Sequence, residues 1–105
     1  MFAKYMERSM IFVQNKNSER IKMLKADDGE MLISVDLHYM YKEEARRLLA
    51  AIIDENPFEF CLEVIHGFNH GTVLKNMVRD ELKNRRIVKK YSPVWNPGST
   101  YLVIA

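Results

Sequence analysis

Residues 60–82 read FCLEVIHGFNHGTVLKNMVRDEL, and the expected fold follows from them. Phe60 to Ile65 is a short apolar run rich in strand formers, and it stops at His66-Gly67. Gly71-Thr72 then opens a segment whose apolar residues Val73, Leu74, Met77, Val78 and Leu82 recur at helical spacing. A buried strand, a glycine-bracketed turn and a helix start follow one another closely. Such a turn offers free backbone N–H groups and the positive end of a helix dipole to an anion. His66, at the tip of the strand, stands beside it. Val35-Asp36-Leu37-His38 repeats the plan, an apolar strand ending in polar residues just before a helix.

Outward from this stretch the pattern continues. Residues 31–37 predict another strand, and residues 42–55 an amphipathic helix with Ala45, Leu48, Leu49, Ile52 and Ile53 on one face. Glu43 and Glu44 sit in its first turn, where negative charge is favoured, and Asn56-Pro57 stops it. The second helix spans 72–84. Strands at 87–91 and 100–104 close the chain, joined by the turn-rich segment 93–98, and Lys89 and Lys90 protect a sheet edge. Residues 1–30 are less legible. Met6, Met10 and Ile11 could line a short helix, and 14–20 reads as polar loop. The segment 26–30 is either a hairpin turn between two strands or a linker from a loose arm. We take 1–30 as an N-terminal arm or extension and 31–105 as the domain.

The element order is then β-α-β-α-β-β. Right-handed crossovers put both helices on one face of a mixed four-stranded sheet, an α/β two-layer sandwich. The carboxyl ends of its first two strands lie side by side, and ligands bind outside such ends. Asp36, His38 and His66 fall there.

Composition bounds the function classes. A chain of 105 residues, 48% hydrophobic and 29% charged, is one ordinary globular domain. Its longest apolar run is the six residues 48–53, far short of the ~20 needed to cross a membrane. Glu7 and Arg8 interrupt the N-terminus where a signal peptide needs an apolar core, so a cytoplasmic location is expected. Cys61 is the single cysteine, which excludes an internal disulfide and a cysteine zinc cluster; inside an apolar strand it reads as an inert buried thiol. Residues 1–60 carry nine Lys/Arg against eleven Asp/Glu, whereas 61–105 carry seven against three. The basic C-terminal part hints at an anionic partner.

Three segments resemble the small MutS-related (Smr) domain. VDLHYMYKEEARRLL is similar to that family's Leu-Asp-Leu-His-Gly segment and following helix, IHGFNHGTVLKNMV to its His-Gly-x-Gly-x-Gly segment, and PGSTYLVI to its closing Gly-Ser strand. The likeness covers about residues 31–105, in the same order. It implies a fold like the C-terminal domain of translation initiation factor three, with sheet order 1-2-4-3. It also implies nucleic-acid binding and, in several members, endonuclease activity on DNA or RNA. The family's Asp and first His fall on Asp36 and His38; its second His and flanking glycines fall on His66, Gly67 and Gly71. Three positions depart from the pattern. Tyr39 replaces a glycine and adds bulk, Tyr41 replaces a Thr or Ser, and Asn69 replaces the middle glycine of the loop.

Two histidines that titrate near neutrality can share the base and acid roles of phosphodiester cleavage, with Asp36 orienting an imidazole. The alternative is that His38 and His66 merely hold the strand ends through turn hydrogen bonds. His66 and His70 have the spacing of a helical metal pair, but Gly67 and Gly71 make this a turn, and no metal site is read here. Phe68, Asn69, His70, Gly71 and Thr72 form the phosphate turn with Gly67, and Lys75, Arg79 and Lys83 continue it as a basic stripe toward Arg85-Arg86. Tyr39, Tyr41, Phe68 and Trp95 are turn aromatics on which bases stack, or which cover a core edge, with Phe68 the one expected to be exposed. The expected function is an endonuclease on RNA or DNA; the alternative is a non-catalytic binding module of the same fold. No cofactor is identified, and a divalent ion, magnesium or manganese, is compatible with the nuclease reading. The expected partner is single-stranded or branched nucleic acid, bound by a monomer away from membranes.

Overall fold

The computed structural model describes residues 18–25, 28–67 and 72–105. The helix considered around Met6, Met10 and Ile11 lies outside them. A 3-10 turn at Ser18–Arg20 leads into β1 (Ile21–Lys25), followed by β2 (Met31–Asp36), α1 (Lys42–Glu55), β3 (Phe60–Ile65), α2 (Val73–Asn76), β4 (Ile87–Tyr91) and β5 (Ser99–Ile104). The α2 turn continues as a π-helix over Met77–Glu81. The helical stretch therefore ends at Glu81 rather than at the expected residue 84.

The sheet has five strands in the order β1-β2-β3-β5-β4, which corrects the expected four. Its last four keep the order the family resemblance implies. The addition is β1, taken from the segment read as an arm, which pairs antiparallel with β2 from Ile21↔Val35 to Lys25↔Met31. Gly29, at φ +89°, supplies the left-handed residue of the connecting turn, and Asp28 accepts a 3.0 Å hydrogen bond from the Glu30 amide. The hairpin alternative describes this pairing.

β2 and β3 are parallel, β3 and β5 antiparallel, β4 and β5 antiparallel with a bulge near Val88. One row faces the helices across the sheet: Ile21 and Met23, Ile33 and Val35, Phe60, Leu62 and Val64, Leu102 and Ile104, all buried. The same cluster takes Ala45, Leu48, Leu49, Ile52 and Ile53 of α1 and Met77 and Val78 of the π-helix that continues α2. Both helices thus cover one face, as the crossover rule requires. The other face is half-buried, and Cys61 lies on it, not in the core; partial burial still pushes its thiol up, so it carries little thiolate. Among the described residues no helix is long and apolar enough to cross a membrane.

Two basic side chains hold helix ends. Lys90 Nζ donates to the carbonyls of Val78 (2.8 Å), Arg79 (3.2 Å) and Leu82 (2.8 Å), where the widened π turn leaves acceptors without intrahelical partners. It is a helix cap rather than an edge guard. Lys89, 5.6 Å from the Tyr91 ring centroid, stays at the edge. Arg86 donates to Ile53 O at the end of α1 (2.5 Å), to Phe58 O (2.9 Å) and to Ala105 O (2.8 Å). Its guanidinium is committed to three carbonyls and leaves the basic stripe. Arg86→Ala should strand part-buried acceptors and lower stability by about 1–3 kcal/mol. The urea midpoint measures this; an unchanged midpoint would show that water replaces the bonds without loss.

Candidate nucleic-acid interface and active site

The parallel register runs to Asp36↔Ile65 and continues one step through Leu37 N–H donating to Ile65 O at 2.8 Å. The carboxyl ends of β2 and β3 therefore stand side by side. After β2 the chain turns sharply: Met40 N–H donates to Leu37 O (3.1 Å), and Tyr39 takes φ +68°. This is the position where the family has glycine, and the reason is visible here, since a left-handed backbone costs an ordinary residue about 1–2 kcal/mol. The Tyr39 side chain does not crowd the site. It is 92% exposed.

Asp36 and His38 form a compact dyad. Asp36 Oδ1 accepts both the His38 backbone N–H (2.9 Å) and His38 Nδ1–H (2.6 Å). A carboxylate only accepts, so Nδ1 carries a proton, and in the neutral ring Nε2 keeps its lone pair. Nε2 has no hydrogen-bond partner among the described residues. Arg20 braces the turn from outside, donating to the carbonyls of Asp36 (2.9 Å) and His38 (2.7 Å). Nothing in the sequence pointed to Arg20, which sits in a polar stretch before β1.

His66 is built differently. It is buried, its Nδ1 donates to Gly67 O (2.8 Å), and its Nε2 lies 2.8 Å from Thr100 Oγ1. A carbonyl cannot donate, so Nδ1 holds the proton and Nε2 accepts the Thr100 hydroxyl, which in turn accepts from Ser92 Oγ at 3.0 Å. Burial, opposed by the Gly67 bond and aided by Lys75, Arg79 and His38, pushes the His66 pKa below its ordinary 6.5. Neither nitrogen of the neutral ring is left for a substrate proton. Thr100 was legible in principle: it shares the inward row of β5 with Leu102 and Ile104, and a hydroxyl there needs a buried partner.

Gly67 separates the two imidazoles. Its φ is +76°, and a Cβ at this position would sit 2.7 Å from His38 Nε2. The amides of His66 and Gly67 both donate to Gly98 O at 2.9 Å, so they are not the free anion donors expected of the turn. Phe68, Asn69, His70 and Gly71 lie outside the described residues. Thr72 precedes α2 with its Oγ1 accepting from Asn76 Nδ2 at 3.3 Å. Lys75 and Arg79 are near enough to lower the His66 pKa but do not line the groove; Lys83 and Arg79 are exposed.

These elements frame an open groove of about 570 Å³, lined by His38, Tyr39, Tyr41, Lys42, His66, Gly67, Val73, Leu74, Asn96 and Gly98 among others. That volume suits a ligand rather than a packing defect. Tyr41 and Trp95 are 84% and 82% exposed, so with Tyr39 the turn aromatics among the described residues do not cover a core edge. Among the described residues no three His, Cys, Asp or Glu side chains converge as a metal cage.

A sandwich of this topology with an Asp-His dyad and a glycine turn at adjacent strand ends defines a class of small α/β binding domains. The Smr domain family model matches residues 35–100, more than half of the chain, and the chain belongs to that family. Smr domains generally bind nucleic acid, and some have nuclease activity. A search of curated proteins and a search of solved structures each returned no match.

His66 gives the site a pH signature. Its folded pKa lies below the unfolded value of 6.5. Its contribution to stability is therefore complete above that value and is lost as pH falls through it toward the folded pKa. His66→Gln should flatten this part of the stability–pH curve on the acid side of pH 6.5, read from urea midpoints. Parallel curves for the two proteins would remove His66 from the acid limb.

Proposed function

We propose that the groove holds a strand of RNA or DNA and that His38 acts as general base in cleaving its phosphodiester. The observation that supports this is the Asp36–His38 bond, which holds Nδ1–H and leaves Nε2 of a groove-lining imidazole as the acceptor. In this reading Nε2 takes the proton of the attacking hydroxyl, the 2′-OH of RNA or a water. The new P–O bond forms as the bond to the leaving oxygen breaks, and that oxygen takes a proton from water. Lys75, Arg79 and Lys83, with the segment from Gly67 through Phe68, Asn69, His70 and Gly71 to Thr72, would attract the phosphates. His66 is then a positioning residue, holding Gly67 and the strand end through its two hydrogen bonds.

The saturation of His66 favours a second reading. With one of the two expected proton-transfer groups occupied, a module that binds without cutting fits the same groove. Incubating the pure protein with labelled RNA and DNA, with and without magnesium or manganese, separates the two. Under the nuclease reading, His38→Ala loses about 10²- to 10⁴-fold in rate while binding survives. Asp36→Asn loses activity as well, because the amide no longer fixes the Nδ1–H tautomer. Binding without cleavage under every condition establishes the module; cleavage unchanged in both variants assigns the activity to another site.

A further inference from the structure

The two tyrosines of the β2–α1 turn stand where backbone physics favours other residues. Tyr39 occupies a left-handed position at φ +68°, one that glycine takes without strain. Tyr41 occupies the N-cap of α1 at φ −75°, ψ 153°, where Ser, Thr, Asp or Asn would accept an amide bond; it makes no side-chain cap. Neither ring compensates by packing, since Tyr39 is 92% and Tyr41 84% exposed. Both line the same groove as His38, and the Tyr39 and His38 ring centroids are 6.1 Å apart at 46°. Two independent local costs are thus accepted at one turn, and what both leave behind is an aromatic ring open to solvent beside the dyad.

Resting on the nucleic-acid reading above, we infer that Tyr39 and Tyr41 are a stacking platform that takes unpaired bases and so selects single-stranded over duplex nucleic acid. The chemistry is specific to flat π faces next to a phosphate. Every nucleobase has such a face, and in a duplex both faces are already covered by neighbours. A base lying on Tyr39 brings its own phosphate toward His38 Nε2. No Asp or Glu is among the described residues that line the groove, and Lys42 there pairs with Glu81 at 2.7 Å. RNA and DNA single strands share the recognised group, and the platform itself does not separate them.

The decisive variants restore the residue that the backbone prefers. Tyr39→Gly and Tyr41→Ser each remove a ring at a position where the replacement suits the local geometry, so both proteins should fold with thermal midpoints equal to or above that of the parent. Binding is measured for U8 RNA, T8 DNA, a blunt duplex and an octamer of abasic sugar-phosphate. The parent should bind either single strand about 5- to 150-fold more tightly than the abasic octamer. Each variant should lose a large part of that preference while its affinity for the abasic octamer stays the same, since phosphate contacts are untouched. Single strands bound equally well by parent and Tyr39→Gly would overturn the platform and leave the groove as a phosphate site, with the rings free for a protein partner. A parent that binds none of the four oligonucleotides would overturn the nucleic-acid reading and the platform together.

Discussion

The parallel pairing of β2 with β3 is the constraint on which the site depends. Without it Asp36 and Ile65 would not share a register, and Leu37 could not donate to Ile65 O. Parallel neighbours need a crossover, which α1 supplies by packing Ala45, Leu48, Leu49, Ile52 and Ile53 onto the sheet. The chain must then leave both strand ends on the same edge of the molecule. The polar residues that end the apolar runs are brought together there by the core, before any chemistry is considered.

The two histidines reach this edge with opposite roles. His66 follows the inward row of β3, behind Leu62 and Val64, and finds Thr100 on β5. His38 belongs to the turn after the out-of-phase residue Asp36 and finds its carboxylate two residues back. One imidazole is a buried neutral link between strands, and the other is half-exposed with one nitrogen spoken for. Gly67 touches both and has room for neither a side chain nor an ordinary φ, which explains the glycine after the second histidine. The substitutions at Tyr39 and Tyr41 lie on the solvent side of this arrangement and leave the dyad intact.

Most of the fold was legible because periodicity reports burial directly. The α1 boundaries, β3 and β4 agree with the apolar pattern residue for residue, and the order of β2, β3, β5 and β4 follows from handedness. The fifth strand was not, because IKMLK between a polar stretch and an Asp-Gly turn suits a hairpin and an arm equally, and only pairing with β2 decides. The π widening of the second helix, with Lys90 bonded to its carbonyls, was not legible either, since a lysine on a strand reads first as edge protection. At the site, the sequence pattern and the structure both set Asp36, His38 and His66 at adjoining strand ends. The pattern could not say that both nitrogens of His66 would be spent, because that depends on the Gly67 carbonyl and on Thr100 and Ser92, which come from a distant part of the chain. Arg20 went unnoticed and Arg86 was placed with the basic stripe for the same reason: their partners are backbone carbonyls, which leave no trace in side-chain pattern.

The central claim is that Asp36 holds His38 as the Nδ1–H tautomer with Nε2 as the available base. Long-range ¹H–¹⁵N NMR of the imidazoles near neutral pH tests it directly, because protonated and lone-pair nitrogens resonate far apart. The prediction is a His38 with Nδ1 protonated and Nε2 bare, a tautomer lost in Asp36→Asn, with only the Nε2 signal moving when a single-stranded oligonucleotide is added. A His38 protonated on Nε2, or one whose tautomer ignores the loss of the Asp36 carboxylate, would contradict it.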